Sequence, residues 1–188
     1  MPLLTTQSAR GFGFDKYELL SSNSYESIQT ITVGSTSQAS ISFTSIPSTY
    51  THLQVRGILR STTATGTAFM NFNGDTANNY TTHYIFGDGT IGVGAINPHS
   101  GMYSALANNA ASTFAVCVIN ILDYKNTNKN KVMLSLSGGE SNTNSGGTYD
   151  EILSGVWEST SAINRIDLIP AAGNFAQYSS LALYGIKG

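Results

Sequence analysis

Along most of this chain, apolar and polar residues alternate with a period of two, the spacing of a half-buried β-strand. Ser27–Val33 (SIQTITV) is rich in β-branched residues and stops at Gly34. Ala39–Phe43 alternates small or apolar residues with serine, and the short polar segment between them predicts a hairpin of the two. His52–Leu59 places Leu53, Val55 and Gly57 on one face and Gln54, Arg56 and Ile58 on the other; Ala68–Phe72 is a further short strand. In Thr113–Tyr124 both faces are apolar, with Phe114, Val116 and Val118 against Ala115, Cys117, Ile119 and Ile121, which predicts a central strand packed on both sides. A polar loop leads to Val132–Leu136, giving a second hairpin, followed by a Gly/Ser/Asn loop over 137–148. Ile152–Trp157, Ile163–Ile169 and Ser180–Ile186 supply the last strands, with Pro170 ending one of them for want of a ladder donor.

Helical signals are nearly absent. Pro47–Tyr50 allows one short turn, and Asn97–Asn109 reads as an irregular or helical crossover. Eight to ten short strands at regular spacing predict an all-β chain: an antiparallel two-sheet β-sandwich, jelly-roll-like, over 25–188. Residues 1–24 differ from the rest. They carry Phe12, Phe14 and Tyr17 and then a serine-rich stretch, the pattern of an extended arm and linker whose rings dock on a partner.

Composition sharpens this. Ser, Thr, Asn and Gly make up 80 of the 188 residues, and only 11% are charged, which excludes a coiled coil or helical bundle. With 40% hydrophobic residues, including ten Tyr and eight Phe, disorder is excluded too. A net charge of -2 leaves no concentrated positive face for nucleic acid, and a surface of hydroxyls and amides suits close packing in an assembly. The densest basic run, Lys125 to Lys131, reads as a solvated hairpin loop. The single cysteine, Cys117, lies in an apolar strand and reads as a small buried hydrophobe, so no internal disulfide forms. No stretch approaches the roughly 18 apolar residues of a membrane helix, and the first residues lack the pattern of a signal peptide.

Catalytic chemistry finds little purchase. His52, His83 and His99 show no metal-ligand spacing. Gly87-Asp-Gly-Thr-Ile-Gly92 has the form G-x-G-x-x-G but no helix pattern after it, so it reads as a glycine-rich loop or bulged strand. Asn71–Asp75 has too few carboxylates for calcium and reads as a turn. Alternation aims Asp150 and Glu151 at opposite faces, which makes them a poor acid/base pair. Trp157 reads as a core strand residue ahead of a sugar-stacking platform. The expectation is a protein with no catalytic residues, no cofactor and no metal.

Five stretches resemble a family of tailed-phage virion structural proteins: Tyr25–Val33 (YESIQTITV), Phe43–Arg56 (FTSIPSTYTHLQVR), Asn120–Lys129 (NILDYKNTNK), Gly155–Ile163 (GVWESTSAI) and the ending Gly173–Ile186 (GNFAQYSSLALYGI). The arm segment Thr6–Phe14 (TQSARGFGF) is similar to segments near the start of some phage tail proteins. The resemblance implies a β-sandwich module on the exterior of a virion, made in the host cytoplasm and assembled with other virion proteins. It favours a tail appendage or fibre-like protein, self-associated as a homotrimer, over a capsid decoration (cement) protein. It carries no catalytic residue. An alternative is a carbohydrate-binding module for host attachment, in which loops bearing Tyr80, Tyr84, Tyr103 and Tyr149 hold a host surface glycan. Within the fold, Pro47 presets a turn that Tyr50 staples, and Gly185 permits a bulge or a close approach.

Overall fold

The computed structural model describes residues 24–63, 66–87, 90–107, 113–139 and 150–188. Twelve strands account for the regular structure: β1 (Tyr25–Thr32), β2 (Ile41–Phe43), β3 (His52–Leu59), β4 (Thr67–Phe72), β5 (Tyr80–Gly87), β6 (Ile91–His99), β7 (Met102–Leu106), β8 (Ala115–Leu122), β9 (Lys131–Gly138), β10 (Asp150–Trp157), β11 (Ile166–Pro170) and β12 (Ser180–Ile186). Among the described residues none is helical. The strands form an eight-stranded sheet, β1-β12-β3-β8-β9-β10-β5-β6, and a four-stranded sheet, β2-β11-β4-β7. Every pairing is antiparallel. The chain is a two-sheet β-sandwich, divided eight and four rather than evenly.

Alternation explains the core. Leu53, Val55 and Leu59 of β3, Cys117, Ile119 and Ile121 of β8, and Leu181 and Leu183 of β12 point inward from the large sheet. Ile41, Phe43, Met70, Phe72, Ile166 and Leu168 meet them from the small one. Trp157 is 2% exposed and belongs to this core, its ring tilted against Phe72 at 5.6 Å and stacked on Tyr80 at 6.1 Å. Its indole donates to Asp75 Oδ2 at 2.8 Å. Asp75 also accepts from Asn79 Nδ2 and the Ala77 amide. These bonds outweigh the desolvation that opposes its charge and hold its pKa below the ordinary value. In Asn71–Asp75, Asn71 and Phe72 end β4 and the turn follows at Asn73 and Gly74, both at positive φ (56° and 71°); the run's one carboxylate is engaged by the fold.

Several sequence expectations are corrected. The strands at 27–33 and 39–43 do not pair with each other: β1 pairs with β12 and β2 with β11, in different sheets. The connecting residues run beside the 175–179 corner, where Val33 exchanges backbone bonds with Ser179 and Tyr178, and Gln38 with Phe175. The chain thereby crosses between the sheets instead of reversing within one. The described part of the span 97–109 is mostly strand rather than irregular or helical, but it is a crossover: β6 ends at His99 in the large sheet and β7 begins at Met102 in the small one. The G-x-G-x-x-G run agrees with its reading as glycine-rich loop or strand: Gly87 ends β5 and Ile91 and Gly92 open β6, with Gly92 paired to Phe86 and, beyond the run, Gly94 to Tyr84.

Lys131 departs from the solvated loop expected of it. It is fully buried, and its three ammonium donors go to the carbonyls of Asn126 (2.6 Å), Lys129 (2.9 Å) and Thr160 (2.9 Å). Burial lowers its pKa from the ordinary lysine value. The rest of the run behaves as expected, with Lys129 exposed and paired to Asp123 at 2.7 Å.

Tyr50 secures the corner before β3: its hydroxyl donates to Glu26 at 2.8 Å, and its ring lies on the backbone of Gly185. A Cβ at 185 would sit 2.3 Å from the ring, whereas one at Gly34 would meet nothing within 4 Å. We expect Gly185→Ala to cost roughly 1–3 kcal/mol in chemical denaturation, as overpacking does. Gly34→Ala should be neutral or slightly stabilising. Equal effects at the two positions would contradict the close approach.

Candidate functional site

The two sheets differ in width, and two surfaces follow from that difference. The first is a cleft where β5 and β6 run past β7, the last strand of the small sheet. Tyr84 and Phe86 of β5 point to the inner side, each lying over a glycine of β6. A Cβ would stand 2.4 Å from the Tyr84 ring at Gly94 and 2.2 Å from the Phe86 ring at Gly92, so the glycines are seats for the rings. Phe69 and Tyr103 face them, with ring centroids 6.2 Å apart, and Tyr103 meets Tyr84 edge-on at 5.6 Å. Together with Thr67, Ile96 and Glu151 these rings line a cleft of about 330 Å³, a size suited to a small ligand.

Glu151 gives the cleft its chemistry. It points inward from β10 while Asp150 is exposed, the division that alternation predicted. Only 4% of Glu151 is exposed, and its carboxylate accepts the Tyr103 hydroxyl. Desolvation pushes its pKa above the ordinary 4.5, and the Tyr103 bond pulls part of the way back. None of the residues lining the cleft is cationic. The cleft thus offers aromatic faces, two phenol hydroxyls and a carboxyl group that holds its proton more readily than a surface one.

Of the tyrosines proposed for glycan contact, Tyr84 and Tyr103 meet in this cleft. Both lie on strands rather than loops. Tyr80 is corrected: it is fully buried, with burial pushing its pKa up to about 12 and its hydroxyl donating to the Asp75 carbonyl at 3.0 Å. Tyr149 lies outside the described residues, as do Phe12, Phe14 and Tyr17. Phe69, Phe86 and Glu151 were not singled out for the cleft from sequence. The pairing of β5 with β10, about 70 residues later, sets Phe86 opposite Glu151, and Phe69 comes to them from β4 of the small sheet.

The second surface is the outer face of the large sheet. The apolar outer side of β8 was expected to be covered, but Val116 is 55% exposed, and nothing among the described residues packs over it. The exposure extends across the sheet to Ile58, Leu122, Val132, Leu134, Leu136, Ile152, Ile85, Ile91 and Val93. Register makes these neighbours: Val118, Leu136, Ile152, Ile85 and Val93 stand in one cross-strand row, with Arg56 at its end. Towards β1 the same face turns polar. There Tyr25 stacks on Tyr184 at 4.8 Å and donates to Gln54, which donates to Asn120, while Arg56 lies over the Tyr25 ring.

His52 Nδ1 accepts the Asp123 amide at 2.9 Å, His99 stacks on Phe69 at 4.5 Å, and His83 is exposed on the outer face. Among the described residues no three His, Cys, Asp or Glu side chains cluster as metal ligands. No helix among them is long and apolar enough to cross a membrane. Cys117 is buried, and burial pushes its thiol pKa up to about 12.

The raised Glu151 pKa has a consequence for stability. Between pH 4.5 and its folded value the folded protein keeps a proton that the unfolded chain releases. Folding stability therefore falls as pH rises through that window. Glu151→Gln should remove this decline, seen as a flatter dependence of the urea midpoint on pH than in the wild type. Parallel profiles would show that the carboxyl is not desolvated.

The chain has no significant match among protein-family models, curated proteins or solved structures.

Proposed function

We propose that this chain is a non-enzymatic structural component of a tailed-phage particle, exposed on its exterior, and that it serves as a tail appendage or fibre-like protein joined to its neighbours through the N-terminal arm. The setting comes from the resemblance of the segments at 25–33, 43–56, 120–129, 155–163 and 173–186. The observation that carries the structural role is the uncovered apolar face of the large sheet. Soluble monomers rarely expose contiguous apolar patches beyond a few hundred Å², and here at least ten large aliphatic side chains stand 38–85% exposed on one sheet. Such a face is what an assembling module presents. A homotrimer is the assembly that the resemblance implies, and a capsid decoration protein is the alternative station on the particle. The test is direct. Peptides of the chain should be found in purified particles, with antibody labelling on the tail. Removing residues 1–20 should leave a β-rich circular dichroism spectrum and reduce incorporation at least ten-fold. Absence of the chain from particles sinks the virion reading, and normal incorporation of the shortened chain sinks the latch.

A second reading, host attachment through a surface glycan, is favoured by the cleft. Aromatic faces stack on sugar rings, and Glu151 and the tyrosine hydroxyls offer hydrogen bonds. A glycan array should then show binders whose affinity falls at least ten-fold in Tyr84→Ala, with folding unchanged. An array without binders at high protein concentration removes this reading.

A further inference from the structure

We infer that the outer face of the eight-stranded sheet is a self-association surface, and that its occupant is the same face of a second copy of this chain, a two-fold pairing rather than the three-fold contact of the homotrimer that the resemblance implies. The inference names the partner for the structural role proposed above and rests on that reading for its setting.

Size is the first argument. The exposed fractions of the aliphatic side chains between β3 and β6 correspond to on the order of 1,000 Å² of accessible surface. A stable interface buries about 800 Å² on each partner. One face of this sheet therefore supplies a full interface without help from loops.

Chemistry is the second argument. The residues at the heart of the patch are aliphatic: Leu134, Leu136, Ile152, Ile85 and Val93. Rings reach the patch along one groove, where His83 and Tyr84 stand beside Ile85 with Ser154, and no lysine among the described residues lies on it to seek phosphate or lipid headgroups. Arg56 stands at its margin, and one carboxylate, Asp150, lies over Gly138 between Val116 and Ile91 near one end of the strands. One carboxylate and one marginal guanidinium are too few charges to select a charged partner. A copy of the same face has everything it needs, because a symmetric interface requires only self-complementarity.

Shape is the third. Rows two residues apart make ridges, with grooves between them, one of about 540 Å³ lined by Ile85, Val93, Ala95 and Ile152 among others. This is the relief of an inner sheet face. The chain already buries one such face against its own small sheet, at the roughly 10 Å spacing at which sheets interdigitate. A second copy repeats that packing on the other side of the same strands.

The test uses the full chain. Light scattering should give twice the 19.9 kDa chain mass at micromolar concentration. Leu134→Glu with Leu136→Glu should weaken the association at least ten-fold while leaving the β-sheet circular dichroism intact. Tyr178→Asn, which removes an exposed ring elsewhere, should leave the mass unchanged. Should the double variant misfold, Leu136→Cys provides an independent readout. Cys117 is 2% exposed and inert, so a bifunctional maleimide should link copies of Leu136→Cys and not copies of Tyr178→Cys. A monomer at all concentrations overturns the inference. So does an oligomer that the glutamates leave intact. A monomeric chain that associates only after residues 1–20 are removed overturns it as well, by showing that the arm covers the face. The particle measurement separates the two readings: a chain monomeric in solution yet present in particles refutes this inference alone, and a self-associating chain missing from particles refutes the virion setting alone.

Discussion

Four strands cannot cover the two faces of an eight-stranded sheet, nor the whole of one. The features outside the core follow from that mismatch. Where the small sheet sits, the large one contributes Leu53, Val55, Ile119, Leu181 and Leu183 to a continuous core. Where the small sheet stops, at β7, the inward residues of β5 lose their cover, and Tyr84 and Phe86 line a cleft instead of a core. On the other side no strand among the described residues packs, and Val116, Leu136 and Ile152 remain open. The hydrophobic effect that closes the sandwich leaves the same free energy unspent on the outside. That is why assembly is the natural reading of the face.

The margin of the small sheet shows how a chain with few charges holds itself together. All five residues of β7 are buried, though only β4 pairs with the strand. Its free edge is satisfied by serine hydroxyls from the facing sheet: Ser137 accepts the Leu106 amide at 2.8 Å, and Ser135 donates to the Ser104 carbonyl at 2.6 Å. A buried strand edge without partners is costly, and here serine at inward positions of β9 does the work of a neighbouring strand. Lys131 closes three loop carbonyls in the same way, and Asp75 gathers an indole, an amide side chain and a backbone amide. The polar composition is thus partly a property of the interior, and the surface it leaves is correspondingly apolar.

The fold class was legible because a period of two is a local signal. β3, β8, β9, β10 and β12 lie where alternation put them, and the β8–β9 hairpin is paired as expected. What failed was non-local. β1 and β2 look like a hairpin because they are neighbours with a polar link, but their partners are β12 and β11, about 150–160 and about 125 residues later. β6 was hidden by its glycines, whose role is visible only once Phe86 and Tyr84 of β5 lie on them. For β8 the sequence reported two apolar faces correctly and could not say which of them the chain itself would cover. The inward aim of Glu151 was readable from its spacing to Asp150, yet its phenol partner Tyr103 comes from another sheet and carries no local signal.

The cleft and the open face are two sides of the same strands. Tyr84 and Ile85 are consecutive on β5, as are Glu151 and Ile152 on β10, and each pair sends one side chain to each surface. Packing another sheet over Ile85 and Ile152 would hold the backbone that aims Tyr84 and Glu151, without placing a single atom in the cleft. The alternation separates the surfaces except at Tyr84, which lines both the cleft and the outer groove. An assembling face and a small recognition cleft can therefore share three strands. Away from Tyr84, coupling between them would pass through backbone rigidity rather than through contact.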